Sequence, residues 1–297
     1  GNHWYSMMTK NAWGVELCNN ISMAIEIIKA NGERETFDLQ KLRNSLIRAR
    51  ATTSVADRIA KHIEQELKDG MTTRDIYRHA FEILERELKP VALRYSLRKA
   101  VMDLGPSGFP FEKFVAEIFK AKGFQTQTDV VMPGRCVSHE VDVVAWNENE
   151  LIIVEAKFHN VLGIKSDVKV ALYVKARFDD LANNVFNYGR ERKIDECWLV
   201  TNTKFSEQAI QYAECKNMKL VGWNYPQKGN LQDLIEDAGL HPITCLRSIS
   251  RTEEQMLLTA GIVLCKSIKE DPQLAIDVGI HKEKVKEMLK EINLISN

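Results

Sequence analysis

Two acids and a lysine lie within or directly after two neighbouring apolar stretches near the middle of the chain. Asp142 lies in the first stretch, and Glu155 and Lys157 directly follow the apolar run Leu151–Val154. The short polar segment between the stretches predicts a β-hairpin. Because side chains alternate faces along a strand, Glu155 and Lys157 share one face, and Glu140 and Asp142 share one face of the partner strand. The hairpin therefore gathers acids and a lysine at one edge of a sheet.

This set of side chains suits phosphodiester hydrolysis assisted by a divalent metal ion. Mg²⁺ prefers the oxygen ligands that Asp142 and Glu155 offer, and Mn²⁺ accepts the same set. Such an ion stabilises charge on a phosphate and lowers the pKa of a bound water. Lys157 could orient that water or stabilise developing negative charge. The pattern also fits ordinary surface charges on an amphipathic hairpin, and it does not by itself choose between the two.

The hairpin belongs to a segment, residues 106–237, in which strands and helices alternate. Three helices are predicted, over Phe111–Lys122, Ser166–Phe186 and Ser206–Cys215. Strand-like runs are expected at Val130–Met132, Val141–Ala145, Leu151–Glu155, Cys197–Thr201 and Lys219–Trp223. The alternation predicts an α/β domain with a mixed central sheet flanked by helices.

The flanking segments are mainly helical. In residues 21–105, a β-type run at Ile25–Ile28 meets the turn signal Asn31-Gly32. Asp38 is the expected N-cap of the first helix that follows, and the last helix is expected over Val91–Leu104. Two Gly and two Pro in Gly105–Pro110 predict a boundary outside any helix. Residues 238–297 predict a second helical domain, and residues 1–20 an N-terminal extension.

Composition sets limits on location and partners. The 297 residues carry 41 Lys plus Arg and 41 Asp plus Glu, so a nucleic acid would need local basic patches rather than the field of the whole molecule. The six cysteines form no C-x-x-C pair, which points to reduced thiols in the cytoplasm. Neither a membrane span nor a signal peptide is predicted. A homodimer is left open.

The middle segment resembles the Mrr-type restriction endonuclease domain, a branch of the PD-(D/E)xK nucleases. The resemblance runs through FEKFVAEIFKAKGF, HEVDVVA, IIVEAKF and WLVTNTKFSEQAIQYA, and covers most of Phe111–Leu234. It implies a restriction-endonuclease-like fold acting on DNA. It also implies roles for Asp142 and Glu155 as metal ligands, for Lys157 in catalysis, and for Glu112 as a metal contact through water.

Some positions in this segment carry weaker implications. Glu112 also matches the first helix of archaeal Holliday-junction resolvases, while many Mrr proteins have Gln at the position of Glu155. Glu140 either joins the metal site or pairs with a neighbour, and His139 is expected to be structural. The basic residues Lys165, Lys169, Lys175 and Arg177 either contact phosphate or form a solvated helix face.

The first segment resembles an ATP-cone, a regulatory module that binds adenine nucleotides. The matching stretches are IIKANGERETFDLQKLRNSLIRA and RYSLRKAV. The resemblance implies binding of ATP or dATP, with Lys29 on the phosphates. Ala30 stands where the family has an arginine, so we expect affinity below the family norm. The alternative is a domain that only docks DNA or a partner.

The third segment, from His241 to Ile292, resembles a helix-hairpin-helix domain or the C-terminal domain of the RNA polymerase α-subunit. Such hairpins contact DNA phosphates without reading sequence. A small helical packing domain is an equal alternative.

Three functions compete on this evidence. The first is a Mg²⁺-dependent DNA endonuclease regulated by nucleotide, and the second is a catalytically inactive protein that senses nucleotide and holds DNA. The third, a transcriptional repressor of the ATP-cone kind, would require a zinc ribbon, for which the sequence has no paired cysteines.

Overall fold

The computed structural model describes residues 25–29, 32–161 and 163–295. The predicted N-terminal extension, Ala30 and the first residue of the Asn31-Gly32 turn lie outside these ranges. The N-terminal domain is a β-hairpin followed by helices: β1 (Glu26–Ile28), β2 (Arg34–Thr36), α1 (Leu39–Arg48), α2 (Thr53–Glu66), α3 (Thr73–Glu87), α4 (Lys89–Tyr95) and α5 (Leu97–Met102). As predicted, Asp38 caps α1, accepting from the backbone N–H groups of Gln40 and Lys41.

The single helix predicted over Val91–Leu104 is wrong, because the chain forms α4 and α5 there, meeting at Ser96. Helix α4 begins at Lys89 and has Pro90 in its first turn, a position where a helix tolerates proline. The two helices pack into different cores: Val91 and Ala92 join the N-terminal domain, and Leu97 and Val101 join the middle domain.

The middle domain contains a five-stranded mixed sheet in the order β11-β9-β5-β4-β3. Strands β3, β4 and β5 are antiparallel, whereas β5, β9 and β11 are parallel. The elements are α6 (Phe109–Ala121), β3 (Gln125–Pro133), β4 (Ser138–Trp146), β5 (Leu151–Lys157), β6 (Lys165–Ser166), α7 (Val168–Leu181), β7 (Phe186–Asn187), β8 (Glu191–Arg192), β9 (Glu196–Thr201), β10 (Lys204–Phe205), α8 (Glu207–Cys215), β11 (Lys219–Val221) and α9 (Leu231–Asp237). The predicted α/β class with its mixed sheet is confirmed.

Two predicted boundaries in this domain are corrected. The Gly105–Pro110 segment enters a helix, since α6 begins at Phe109 with Pro110 in its first turn. The helix predicted over Ser166–Phe186 is shorter, because Asp167 caps α7 while Ser166 belongs to β6.

Helices cover both faces of the sheet. Phe111, Phe114 and Phe119 of α6 pack on one face, and α7 and α8 pack on the other. The run Leu151–Val154 is fully buried because alternate residues enter the two opposite cores. This burial on both faces fixes the position of the last residues of β5.

The C-terminal domain is helical, as predicted. It contains a 3-10 turn (Ile243–Cys245), α10 (Arg251–Thr259), α11 (Cys265–Glu270), α12 (Gln273–Asp277) and α13 (Lys282–Ile295). Its apolar side chains, such as Leu257, Ile268 and Met288, continue the core that covers the α6 face of the sheet. Among the described residues, no helix combines the length and apolarity needed to cross a bilayer.

Candidate active site

Strands β4 and β5 separate just beyond the pair Val143–Val154, and the predicted site begins there. Their register runs from Trp146–Leu151 to Val143–Val154. Beyond it, the carboxylate of Asp142 accepts a 2.7 Å hydrogen bond from the backbone N–H of Ala156. This bond holds the carboxylate beside the backbone of the last residues of β5.

Glu155 and Lys157 extend from the β5 face that packs against α7. Arg177 of α7 donates from Nη1 to Glu155 Oε2 at 2.6 Å, and both side chains are largely buried. Lys157 lies within electrostatic range of Glu155 and is exposed at the strand end. The sequence had suggested phosphate contact or a solvated face for Arg177, and the structure instead pairs it with a predicted metal ligand.

Glu112 approaches the same point from the first turn of α6. It is half-buried, and a Cβ on Gly108 would lie 3.0 Å from its Oε1. Burial, the charge of Asp142 and a hydrogen bond with Asp129 together raise the pKa of Glu112 to about 8. Glu112 therefore hydrogen-bonds to Asp129 and lies within electrostatic range of Asp142 across the boundary between helix and sheet.

Asp129 is a fourth acid that the sequence analysis did not single out. It lies on β3 between the register pairs Thr128–Val143 and Val130–Val141, which places it opposite Asp142. Its φ of +57° is in the left-handed region that non-glycine residues rarely adopt. An acid directly before the apolar run Val130–Met132 was the available signal, but only the strand register shows which residue it faces.

Burial and mutual repulsion make this acidic cluster costly without a cation. Burial, followed by the charge of Asp142, raises the pKa of Glu155 to about 7, while Arg177 and Lys157 oppose the shift. The pKa of Asp142 is also raised, chiefly by burial. Carboxylate oxygens are the donors that a hard divalent ion such as Mg²⁺ or Mn²⁺ prefers, so the chemistry of these acids suits such an ion.

Other predicted residues lie outside this cluster. Glu140 is exposed but close enough to raise the pKa of Glu155. His139 Nε2 lies 2.8 Å from Asp180 Oδ2, and the same carboxylate accepts from the backbone of the β3–β4 turn. Lys175 pairs with Asp179 on its own helix.

Lys29 lies at the end of β1 in the N-terminal domain. Its Nζ is 3.1 Å from Glu35 and 3.4 Å from Glu33, and Lys41 of α1 also reaches Glu35 at 3.5 Å. The hydrogen bond to Glu35 is the main cause of a raised Lys29 pKa. A bound phosphate would have to compete with these acids for the lysine.

Comparison with known proteins agrees with this organisation. Three family models match: an ATP cone domain at residues 25–101, a restriction endonuclease at 106–224, and the C-terminal domain of AF1548-like proteins at 241–296. The ATP-cone and endonuclease resemblances are thereby confirmed. At the C-terminus the matching model is the AF1548-like one, and DNA contact through a helix-hairpin-helix stays a prediction.

Two individual proteins are similar to the chain. An uncharacterised protein from Archaeoglobus fulgidus is 37% identical over 178 residues, which are 60% of this chain and 97% of that protein. The crystal structure of AF1548, a protein of unknown function, aligns with a TM-score of 0.55 and 34% identity over 64% of this chain and 98% of that chain.

Proposed function

The chain belongs to the AF1548-like family, and from that premise we propose that it is a metal-dependent DNA endonuclease whose activity responds to an adenine nucleotide. The observation that carries the proposal is the convergence of Glu112, Asp142, Glu155 and Lys157 at the point where β4 and β5 separate. The restriction-endonuclease match over residues 106–224 supports the same reaction class.

Asp142 and Glu155 would hold the metal ion, and Glu112 would contact it through a water molecule. The chemistry such an ion supplies when bound is charge neutralisation at the phosphate and a lower pKa for a coordinated water. The Ala156 N–H fixes the orientation of the Asp142 carboxylate, and Arg177 fixes that of Glu155. Because these two carboxylates are already oriented, they would lose little conformational entropy when the substrate binds.

Lys157 supplies a positive charge at the exposed end of β5. Its ammonium group can donate hydrogen bonds to a phosphate oxygen as negative charge develops there. The same group, next to Glu155, can orient the attacking water. Both roles require a cation at this position, so we expect removal of its charge to reduce the rate without unfolding the domain.

Nucleotide control would act through the contact between the N-terminal and middle domains. Burial and the positive charges of Arg98, Lys165 and Lys41 lower the pKa of Lys204, so Lys41 of α1 lies close to this lysine of the middle domain. Arg48 donates to the Asn224 side chain at 3.2 Å. A nucleotide bound near Lys29 can change cleavage only if it favours one arrangement of this contact.

Cleavage of supercoiled plasmid DNA in Mg²⁺ or Mn²⁺ tests the proposal. We expect nicking by the wild-type chain and none by Asp142→Asn, Glu155→Gln or Lys157→Met. The matched control is Glu148→Gln, in the exposed β4–β5 turn. Circular dichroism would check that every variant is folded.

A wild-type chain that binds DNA but leaves it intact with both metals would overturn the nuclease assignment. That result would favour the alternative function, a catalytically inactive protein that senses nucleotide and holds DNA.

A further inference from the structure

Helices α2 and α3 of the N-terminal domain bring three metal-binding side chains together. His62 and Glu66 are four residues apart on α2, a spacing that places both on one helical face. His79 faces them from α3. His62 Nε2 lies 3.4 Å from Glu66 Oε1, and His79 Nε2 lies 3.2 Å from Glu66 Oε2. One ligand atom from each residue can be chosen so that all lie within 4.8 Å of one another.

These separations match the geometry of a four-coordinate ion. Zinc binds nitrogen and oxygen ligands at about 2.0–2.2 Å, so neighbouring ligands of a tetrahedral site are roughly 3.3 Å apart. The two histidine contacts, which end on different oxygens of Glu66, lie close to that spacing. The His62 and His79 rings are tilted by 50° with centroids 5.6 Å apart, so they are not stacked face to face.

We propose that His62, Glu66 and His79 form a binding site for a zinc-class divalent transition-metal ion in the N-terminal domain. Two imidazoles and one carboxylate are the donors that such ions accept, whereas Mg²⁺ prefers oxygen ligands alone. All three side chains are partly exposed, which gives the ion a route of entry. A water molecule would complete the coordination.

Metal binding here would tie together the two helices that support β1. The segment joining α2 to α3 holds that strand, since Ile28 N–H donates to the Met71 carbonyl and Gly70 N–H to the Glu26 carbonyl, both at 2.9 Å. A metal link between the helices would therefore stiffen the support of the strand that ends at Lys29. The site uses no residue of the nuclease cluster, so it stands independently of the proposed function.

Zinc titration of the full chain, free of any affinity tag, tests the site. An Asp142→Asn background reduces binding at the nuclease cluster. We expect Zn²⁺ to raise the melting temperature and bind with one-to-one stoichiometry, and Mg²⁺ to do neither in this domain. His62→Ala and His79→Ala should each raise the Zn²⁺ dissociation constant by more than roughly 100-fold, since loss of a direct ligand should exceed the effect of losing its hydrogen-bond partner.

The control variant is His281→Ala, an exposed histidine of the C-terminal domain. It should bind Zn²⁺ like its parent. Co²⁺ offers a second measurement, because four-coordinate Co²⁺ absorbs visible light and the band should vanish in Glu66→Gln. Zinc binding of equal strength in the parent and in both histidine variants would overturn the assignment, as would no binding by the parent.

Discussion

Asp129 and Asp142 face each other on β3 and β4, and the backbone of Asp129 adopts a left-handed conformation at this pair. Like charges directly opposite on neighbouring strands destabilise a sheet. The arrangement is therefore tolerated at a cost in the metal-free protein. A cation shared by the acids would offset that cost.

We expect Asp129→Asn to raise the melting temperature in EDTA and to weaken binding of Mg²⁺. Both effects follow from removing one negative charge from the cluster. Differential scanning calorimetry with and without Mg²⁺ measures them, with Glu148→Gln as the control. If both quantities match the wild type, Asp129 does not act with Asp142.

Arg177→Met should destabilise the metal-free protein by about 1–3 kcal/mol, because the largely buried Glu155 would lose its charged partner. Saturating Mg²⁺ should recover part of that loss by giving Glu155 a new partner. Lys175→Met on the same helix is the comparison, since Lys175 pairs with the exposed Asp179 and should contribute under about 1 kcal/mol. Urea unfolding gives both values, and equal losses in the two variants would contradict the assigned role of Arg177.

Glu35→Gln should strengthen ATP binding, and Lys29→Ala should weaken it. Glu35 contacts both Lys29 and Lys41, so neutralising it removes an acid that competes with phosphate for both ammonium groups and leaves Lys29 only its longer contact with Glu33. Calorimetric titration of the full chain with ATP measures both effects. Lys61→Ala, on the exposed side of α2, serves as the control. Weaker binding in Glu35→Gln would mean that Glu35 supports the nucleotide rather than competing with it.

Acid should destabilise the protein through His241. This side chain is 5% exposed, and its Nε2 has no hydrogen-bond partner among the described residues. Burial, with Arg94 and Arg50 nearby, lowers its pKa to about 4. The unfolded chain therefore binds a proton that the folded chain does not between about pH 6.5 and 4.

Stability should accordingly fall as the pH drops through that window, by up to about 3 kcal/mol from this residue, and then level off. His241→Leu should flatten this part of the profile, whereas His281→Leu should not. Urea unfolding at several pH values provides the comparison. An unchanged slope in His241→Leu would show that other groups control the acid response.

The sequence predicted the parts of the site that depend on local pattern. Asp142, Glu155 and Lys157 were visible because they directly follow or interrupt apolar strand residues, and Glu112 came from the family resemblance. Asp129 was missed because its partner depends on the β3–β4 register, which no local pattern specifies. Arg177 was read only as a phosphate contact or solvated face because helical spacing does not indicate which strand a helix covers.

The fold shows the same division between local and long-range information. The N-cap Asp38 was predicted from residue type, and the structure has it. A helix starting at Ser206 was also predicted, and in the structure Ser206 caps α8. The break between α4 and α5 was not predicted. It arises because Val91 and Leu97, six residues apart, enter different cores.

Helix α5 has a practical consequence for dissecting the chain. Leu97, Val101 and Leu104 share a core with Phe111 of the endonuclease domain, although the ATP-cone match extends to residue 101. A fragment that starts at the Gly105–Pro110 segment would lack these side chains and would expose the apolar surface of the endonuclease-like domain that they cover, which favours aggregation. Fragments intended to contain the endonuclease-like domain without the ATP-cone should begin before Leu97, and limited proteolysis that removes the ATP-cone should leave α5 attached.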